Sequence, residues 1–139
     1  MAQDQSESIR ALYEAFARGD VPFVLGKFAA DLVWNEAENF VYADRNPYVG
    51  GQAVLEGVFL RLATEWDGFA VHPEEIIGSG ETVIARGRYR GTYKGTRRAV
   101  DAQFVHVWKL RDGQVASFQQ YTDTAQFRDA VTPPRAATA

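Results

Sequence analysis

The sequence predicts a single α+β domain in which a strongly curved antiparallel sheet wraps around helices and encloses one pocket. Three observations predict it. Helix-spaced apolar residues occupy the first half of the 139-residue chain, and four strand-length stretches separated by glycine-bearing turns fill the second. No repeat, linker or composition shift divides the chain, so residues 1–131 are expected to form one domain, followed by a disordered tail over 132–139.

The helical half begins at Ser6. Ile9, Leu12, Tyr13 and Phe16 recur at i, i+3, i+4 and i+7, which predicts an amphipathic helix from Ser6 to Ala17 with Gly19 just past its end. Asp20 then reads as the cap of a second helix with Pro22 in its first turn, and the short apolar stretch Phe23 to Ala29 continues it. Leu32-Val33-Trp34 has strand composition. Residues 36–51 lack a period and are rich in Asn, Asp, Pro and Gly, so they read as a long loop forming a lid or a pocket rim. Val54, Val58, Leu62 and Trp66, with Leu55 and Phe59, mark a third helix from about Gln52 to Glu65.

Four strands are expected next, over 69–77, 82–93, 98–110 and 114–123. Their turns are Gly78-Ser79-Gly80, Lys94-Gly95-Thr96 and Arg111-Asp112-Gly113, with a short closing helix over 125–131. Because side chains alternate between the faces of a strand, Val100, Ala102, Phe104, His106, Trp108 and Leu110 share the core side of the third of these strands. Ala85, Gly87, Tyr89 and Gly91 point inward from the second, and the small ones among them leave room for a cavity. Ala116, Phe118, Gln120 and Thr122 form one face of the fourth. The arginines Arg86, Arg88 and Arg90 fall on the outer face, where pairing with Asp101 is the expected role.

Composition narrows the function classes. A net charge of -3 argues against nucleic acid, and no apolar run reaches the length needed to cross a bilayer. The polar segment 1–7 has no signal-peptide pattern, which implies a cytoplasmic protein. With no cysteine and only two histidines, His72 and His106, no metal site and no cofactor are expected. Aromatic residues reach 13 %, which fits either a core of large side chains or an aromatic-lined pocket for a small hydrophobic molecule.

Several segments in fixed order resemble the nuclear transport factor 2-like superfamily, and within it the SnoaL-like and ketosteroid isomerase-like proteins. They are Ile9 to Phe16 followed by Gly19-Asp20, then Phe28 to Trp34, then Gly51-Gln52-Ala53-Val54, then Val105 to Val115, then Tyr121-Thr122-Asp123. The resemblance covers residues 6–130 and implies a cone-shaped curved sheet wrapped around three helices. It also implies a homodimer through the outer sheet face, where Val105, Val107 and Tyr121 lie. It says little about the reaction, because the fold hosts isomerases, cyclases, dehydratases, epoxide hydrolases and binding proteins.

By that resemblance Glu36 stands where ketosteroid isomerases place a proton-shuttling carboxylate, and His106 where they place an acid that hydrogen-bonds the enolate oxygen. The tyrosine of that site aligns with Leu12, and Tyr13 on the same helix face is its possible substitute. The Asp-Arg-Asp set of epoxide hydrolases is missing, since Ala85, Gly87 and Gln120 hold those positions. SnoaL-like cyclases use one acidic residue, a role open to Glu36 or Asp123, although strand parity points Asp123 away from the pocket.

Read from the residues alone, Glu36 is either an exposed strand-end carboxylate or a general base with a raised pKa. His106 is either a core histidine satisfied by a hydrogen bond or an acid and oxyanion partner. Tyr13, Trp34, Tyr89, Phe104, Trp108 and Phe118 supply core or pocket wall, and Gln120 is an inward amide that needs partners. The combined expectation is an acid/base pocket enzyme of isomerase, cyclase or dehydratase type, acting on a small hydrophobic carbonyl or polycyclic compound. The alternative is a non-catalytic small-molecule-binding or accessory domain.

Overall fold

A computed structural model describes residues 5–133. Helix α1 spans Ser6–Ala17 and buries Ile9, Leu12, Tyr13 and Ala15, the face its apolar spacing implies. Gly19 takes a φ of 75°, a left-handed conformation that lets the chain turn straight into α2, Val21–Gly26. The Asp20 carboxylate caps α2 by accepting a hydrogen bond from the Phe23 amide at 3.2 Å.

Strand β1 spans Phe28–Asn35, so the residues read as the end of the second helix open the strand instead. Pairing explains the difference. The Val115 amide donates to the Lys27 carbonyl at 2.8 Å, and Phe28 is registered with Val115. The loop after β1 contains a 3-10 turn, Ala43–Arg45, and a two-residue strand β2, Tyr48–Val49. It is fastened rather than free. Asn46 exchanges two hydrogen bonds with the Glu36 backbone, at 3.0 and 2.8 Å, and Arg61 pairs with Asp44 at 2.8 Å. Phe40, Tyr42 and Tyr48 are buried, so this segment is a wall of the domain and not a lid.

The third helical rod is α3, Gly51–Val54, a π-helical turn over Leu55–Phe59, and α4, Leu60–Glu65. Gly57 lies in the π turn because a Cβ there would stand 2.2 Å from Cε1 of the Tyr48 ring. Strands β3 (Trp66–Ser79), β4 (Thr82–Tyr93), β5 (Ala99–Arg111) and β6 (Gln114–Thr122) form the expected antiparallel meander, and α5, Thr124–Val131, closes the chain. The sheet order is β2-β1-β6-β5-β4-β3, with β1 parallel to β6, so the sheet is mixed rather than wholly antiparallel.

Two readings of strand faces need correction. A bulge between Lys109 and Leu110 shifts the parity of β6, so that Val115, not Ala116, enters the core, while Phe118 and Gln120 remain inward. Gly87 and Gly91 do not hollow out a cavity. A Cβ on Gly87 would meet the His72 carbonyl oxygen at 2.0 Å, and one on Gly91 would meet Phe69 at 3.1 Å, so these glycines admit β3. Outside, Arg88 and Arg90 pair with Asp101, and Arg86 pairs with Glu74 and Glu75. Asp123 caps α5 by accepting from the Gln126 amide. Among the described residues no helix is long and apolar enough to cross a membrane. Of the expected tail, residues 134–139 lie outside the described residues.

Candidate functional site

The concave face of the sheet and the inner faces of α1 and the third rod meet around a cavity of about 60 Å³. That is room for a few waters, and well below the 300–1,000 Å³ typical of drug-sized ligand sites. Tyr13, Trp34, Glu36, Tyr89, His106, Trp108, Phe118 and Gln120 all border it. Phe104 does not. It lies behind the wall, stacked on His106 with ring centroids 4.1 Å apart and on Tyr89 at 4.6 Å. The expectation that Phe104 contacts a ligand is therefore corrected to a backing role.

Among the described residues, and apart from the tyrosines and tryptophans of the core, Glu36, His106 and Gln120 are the buried polar or charged side chains, each less than 5 % exposed, and all three border this one cavity. Glu36 arrives there because β1 ends beside it and Asn46 holds its backbone on both sides. Its Oε2 accepts from Trp34 Nε1 at 3.2 Å. Oε1 has no hydrogen bond among the described residues, yet no fully buried side-chain oxygen is left without a partner there. Oε1 is therefore not fully buried, and Glu36 borders both this cavity and a depression lined by Asn35, Ala37, Glu38 and Asn46. Burial pushes the Glu36 carboxyl up to about 8, against the smaller opposing influences of the Trp34 hydrogen bond and the Arg61 charge. At neutral pH it is mostly a protonated acid that needs little to become a base.

His106 sits at the centre of a chain of hydrogen bonds. Its Nδ1 meets the Tyr13 hydroxyl at 2.6 Å, and its Nε2 meets the Tyr89 hydroxyl. Trp108 Nε1 donates to the Tyr13 hydroxyl at 2.9 Å, and Gln120 Nε2 donates to the Tyr89 hydroxyl at 2.9 Å. The Gln120 carbonyl oxygen in turn accepts from the Ala37 amide at 3.0 Å, tying the network to the residue after Glu36. Burial pushes the His106 pKa down to about 3, so the ring is neutral. Burial also raises the Tyr13 hydroxyl far above its ordinary value, and burial with the nearby Glu36 charge does the same to Tyr89.

The arrangement revises the role available to His106. Both ring nitrogens are engaged by tyrosines, so the polar groups that border the cavity with bonding capacity left are the two tyrosine hydroxyls, the Glu36 carboxyl and the second N–H of the Gln120 amide. Tyr13, one residue beyond the position that the family resemblance marks, is on the buried face of α1 and reaches His106 directly. Aromatic rings complete the wall. Trp34 stacks on Phe118 with centroids 3.7 Å apart, and Trp108 meets both edge-on.

Phe16, Phe40, Phe59 and Phe69 also border the cavity. Helical spacing flags Phe16 and Phe59 as inward. Phe40 lies in an aperiodic loop, where no local signal marks it. The tethering residue Asn46 is equally silent in the sequence.

A family model described as the SnoaL-like domain matches residues 9–118. An NTF2-like protein from Burkholderia thailandensis E264 is 30 % identical, covers 94 % of this chain and 99 % of its own, and superposes with a TM-score of 0.89. TerC, co-crystallized with polyporic acid, is 24 % identical over 91 % of this chain and 96 % of its own, with a TM-score of 0.79. A putative SnoaL-like polyketide cyclase from Jannaschia sp. CCS1 is 17 % identical over 94 % of this chain and 92 % of its own, with a TM-score of 0.80. No curated protein matches. The matched span, the mixed curved sheet and the B. thailandensis relative agree, and the chain belongs to the SnoaL-like family of the NTF2-like superfamily.

Proposed function

We propose that this protein is a cofactor-independent pocket enzyme that moves a proton on a small hydrophobic carbonyl compound, with Glu36 as the base. The observation that carries the reading is the Glu36 carboxyl, buried at the edge of an aromatic cavity with one oxygen that makes no hydrogen bond among the described residues and its pKa raised to about 8. A base of that strength, kept from water, suits removal of a proton from a carbon next to a carbonyl. The C–H bond breaks, its electron pair becomes the enolate, and the proton passes to Glu36. The enolate oxygen accepts a hydrogen bond from a tyrosine hydroxyl of the His106 network. If Glu36 returns the proton to a different carbon of the same molecule, the reaction is an isomerisation; if the enolate carbon attacks a second carbonyl and Glu36 protonates the resulting alkoxide, it is a cyclisation; if Glu36 protonates a departing β-hydroxyl, it is a dehydration.

The test is deuterium exchange. Cyclohexanone and larger cyclic ketones incubated with the protein in deuterated water should exchange their α protons faster than in buffer alone. Glu36→Gln should reduce that excess at least tenfold. Equal exchange by both proteins refutes the assignment.

A non-catalytic small-molecule-binding or accessory role is the second reading, and the internal hydrogen bonds that hold both His106 nitrogens favour it. It predicts ketone binding without exchange. On the outer sheet face, exposed Val33, Val49, Ile77, Ile84 and Tyr121 support a homodimer built through that face.

A further inference from the structure

The Tyr13 hydroxyl accepts from Trp108 and the Tyr89 hydroxyl accepts from Gln120, so one acceptor site of each is filled by a fixed donor. Two bonds remain, Tyr13 to His106 Nδ1 and Tyr89 to His106 Nε2. Three protons are available to fill them: one on each hydroxyl and one on the neutral ring. Each bond uses one, and one proton is left over.

Where it is left depends on the imidazole. If the ring proton is on Nδ1, it is donated to Tyr13, and Tyr89 donates to Nε2. The Tyr13 hydroxyl proton is then spare. If the ring proton is on Nε2, it is donated to Tyr89, Tyr13 donates to Nδ1, and the Tyr89 proton is spare. Both tyrosines border the cavity, and the fully buried side-chain nitrogens and oxygens among the described residues already have partners.

We propose that Tyr13, His106 and Tyr89 form a tautomer-directed donor, which offers the cavity one hydroxyl proton at a time, from Tyr13 or from Tyr89, to the carbonyl-type acceptor of a neutral ligand. His106 is then a positioning residue that decides which tyrosine donates. A carbonyl oxygen satisfies the spare donor, whereas a hydrocarbon of the same shape leaves it unpaired in an apolar site. Burial, which keeps His106 un-ionised down to about pH 3, keeps the count at three protons. The inference rests on the reading that the cavity takes a carbonyl compound, but it requires no reaction there.

The probe is cyclohexanone, with cyclohexane as the shape control. The protein is labelled with ¹⁵N-histidine and carries His72→Gln, because His72 is exposed and the chain has no third histidine, so His106 alone reports. In this protein the ring should show one protonated and one bare nitrogen. The carbonyl stretch of bound cyclohexanone should fall below its frequency in hexane, the mark of one hydrogen bond. Two variants then separate the tautomers. With ketone bound, Tyr13→Phe should hold the ring proton on Nε2, so that Tyr89 donates to the ligand. Tyr89→Phe should hold it on Nδ1, so that Tyr13 donates.

An imidazolium at neutral pH, an unshifted carbonyl stretch, the same tautomer in both ketone-bound variants, or no ketone binding overturns the proposal. The infrared measurement needs neither tyrosine variant, so it stands even if one fails to fold. Deuterium exchange is independent of it: a shifted carbonyl with no exchange refutes only the catalytic reading.

Discussion

Replacing Glu36 by Gln should change how stability depends on pH, and in a direction that most carboxylate substitutions do not follow. In the unfolded chain Glu36 titrates near its ordinary value of 4.5, and in the folded protein near 8. Between those values the folded state holds a proton that the unfolded state has released, so folding loses stability as pH rises. A span of about 3.5 pH units at about 1.4 kcal/mol each gives a loss of about 5 kcal/mol by pH 8, comparable to the whole stability of a small domain. The substituted amide would keep the bond from Trp34 Nε1 through its oxygen and carries no charge, so this loss disappears. The assay is urea denaturation of both proteins at pH 5, 7 and 9. The variant should gain on the wild type by a few kcal/mol between pH 5 and 9. Contributions from the exposed carboxylates, such as Asp31 and Asp101 beside their arginines, are common to both proteins and cancel in the difference. Parallel stability curves over that range would show that Glu36 is hydrated in the folded state and would remove the basis for a strong buried base.

His106 gives the opposite slope: folding holds its pKa near 3 against an ordinary 6.5, so stability falls as pH drops from 6.5 toward 3. The two slopes cancel between about pH 4.5 and 6.5, and urea midpoints of the wild type should level off there. Gly87→Ala should be severely destabilising, by about 3 kcal/mol or more, because its Cβ meets the His72 backbone rather than a movable side chain, and thermal melts would detect it. Gly57→Ala should cost about 1–3 kcal/mol by displacing the Tyr48 ring, whose hydroxyl is tied to the Tyr42 carbonyl. Tyr121→Glu should leave a monomer in light scattering if the outer sheet face forms the dimer, and an unchanged mass would exclude that face.

How far these features could be read in advance depended on whether a local pattern carried them. Helix α1 and strand β4 have the ends that their periodicity and turn residues imply, because their apolar spacing and their flanking glycines agree. The inward placement of His106 and Gln120 likewise follows from alternation. Long-range pairing is what the sequence conceals. Phe28 and Ala29 read as helix until β6 is placed alongside them, and the bulge at Lys109 that turns Val115 inward leaves no mark on composition. The same limit applies to the site. The sequence nominates Glu36 and His106, but His106 shares a hydrogen bond with Tyr13, 93 positions away, and with Tyr89 on the next strand. Only the fold reveals that its nitrogens are already spoken for.

The polar set itself is hard to explain as scaffolding. Phe104, Phe118, Trp34 and Trp108 already fill this end of the domain, and a hydrophobic ring at position 106 would pack among them without needing partners. Burying an imidazole, two hydroxyls, an amide and a carboxyl instead demands desolvation that internal hydrogen bonds at best offset, and such groups are weak evidence for stability. Their cost falls hardest on Glu36, which has one oxygen without a protein partner and destabilises the fold as it ionises. Groups whose burial costs stability, and which all border one cavity, are better accounted for by what enters that cavity than by the packing around it. This cost supports the proposal in which a ligand would meet the tyrosines and Glu36 while His106 sets which tyrosine donates to it.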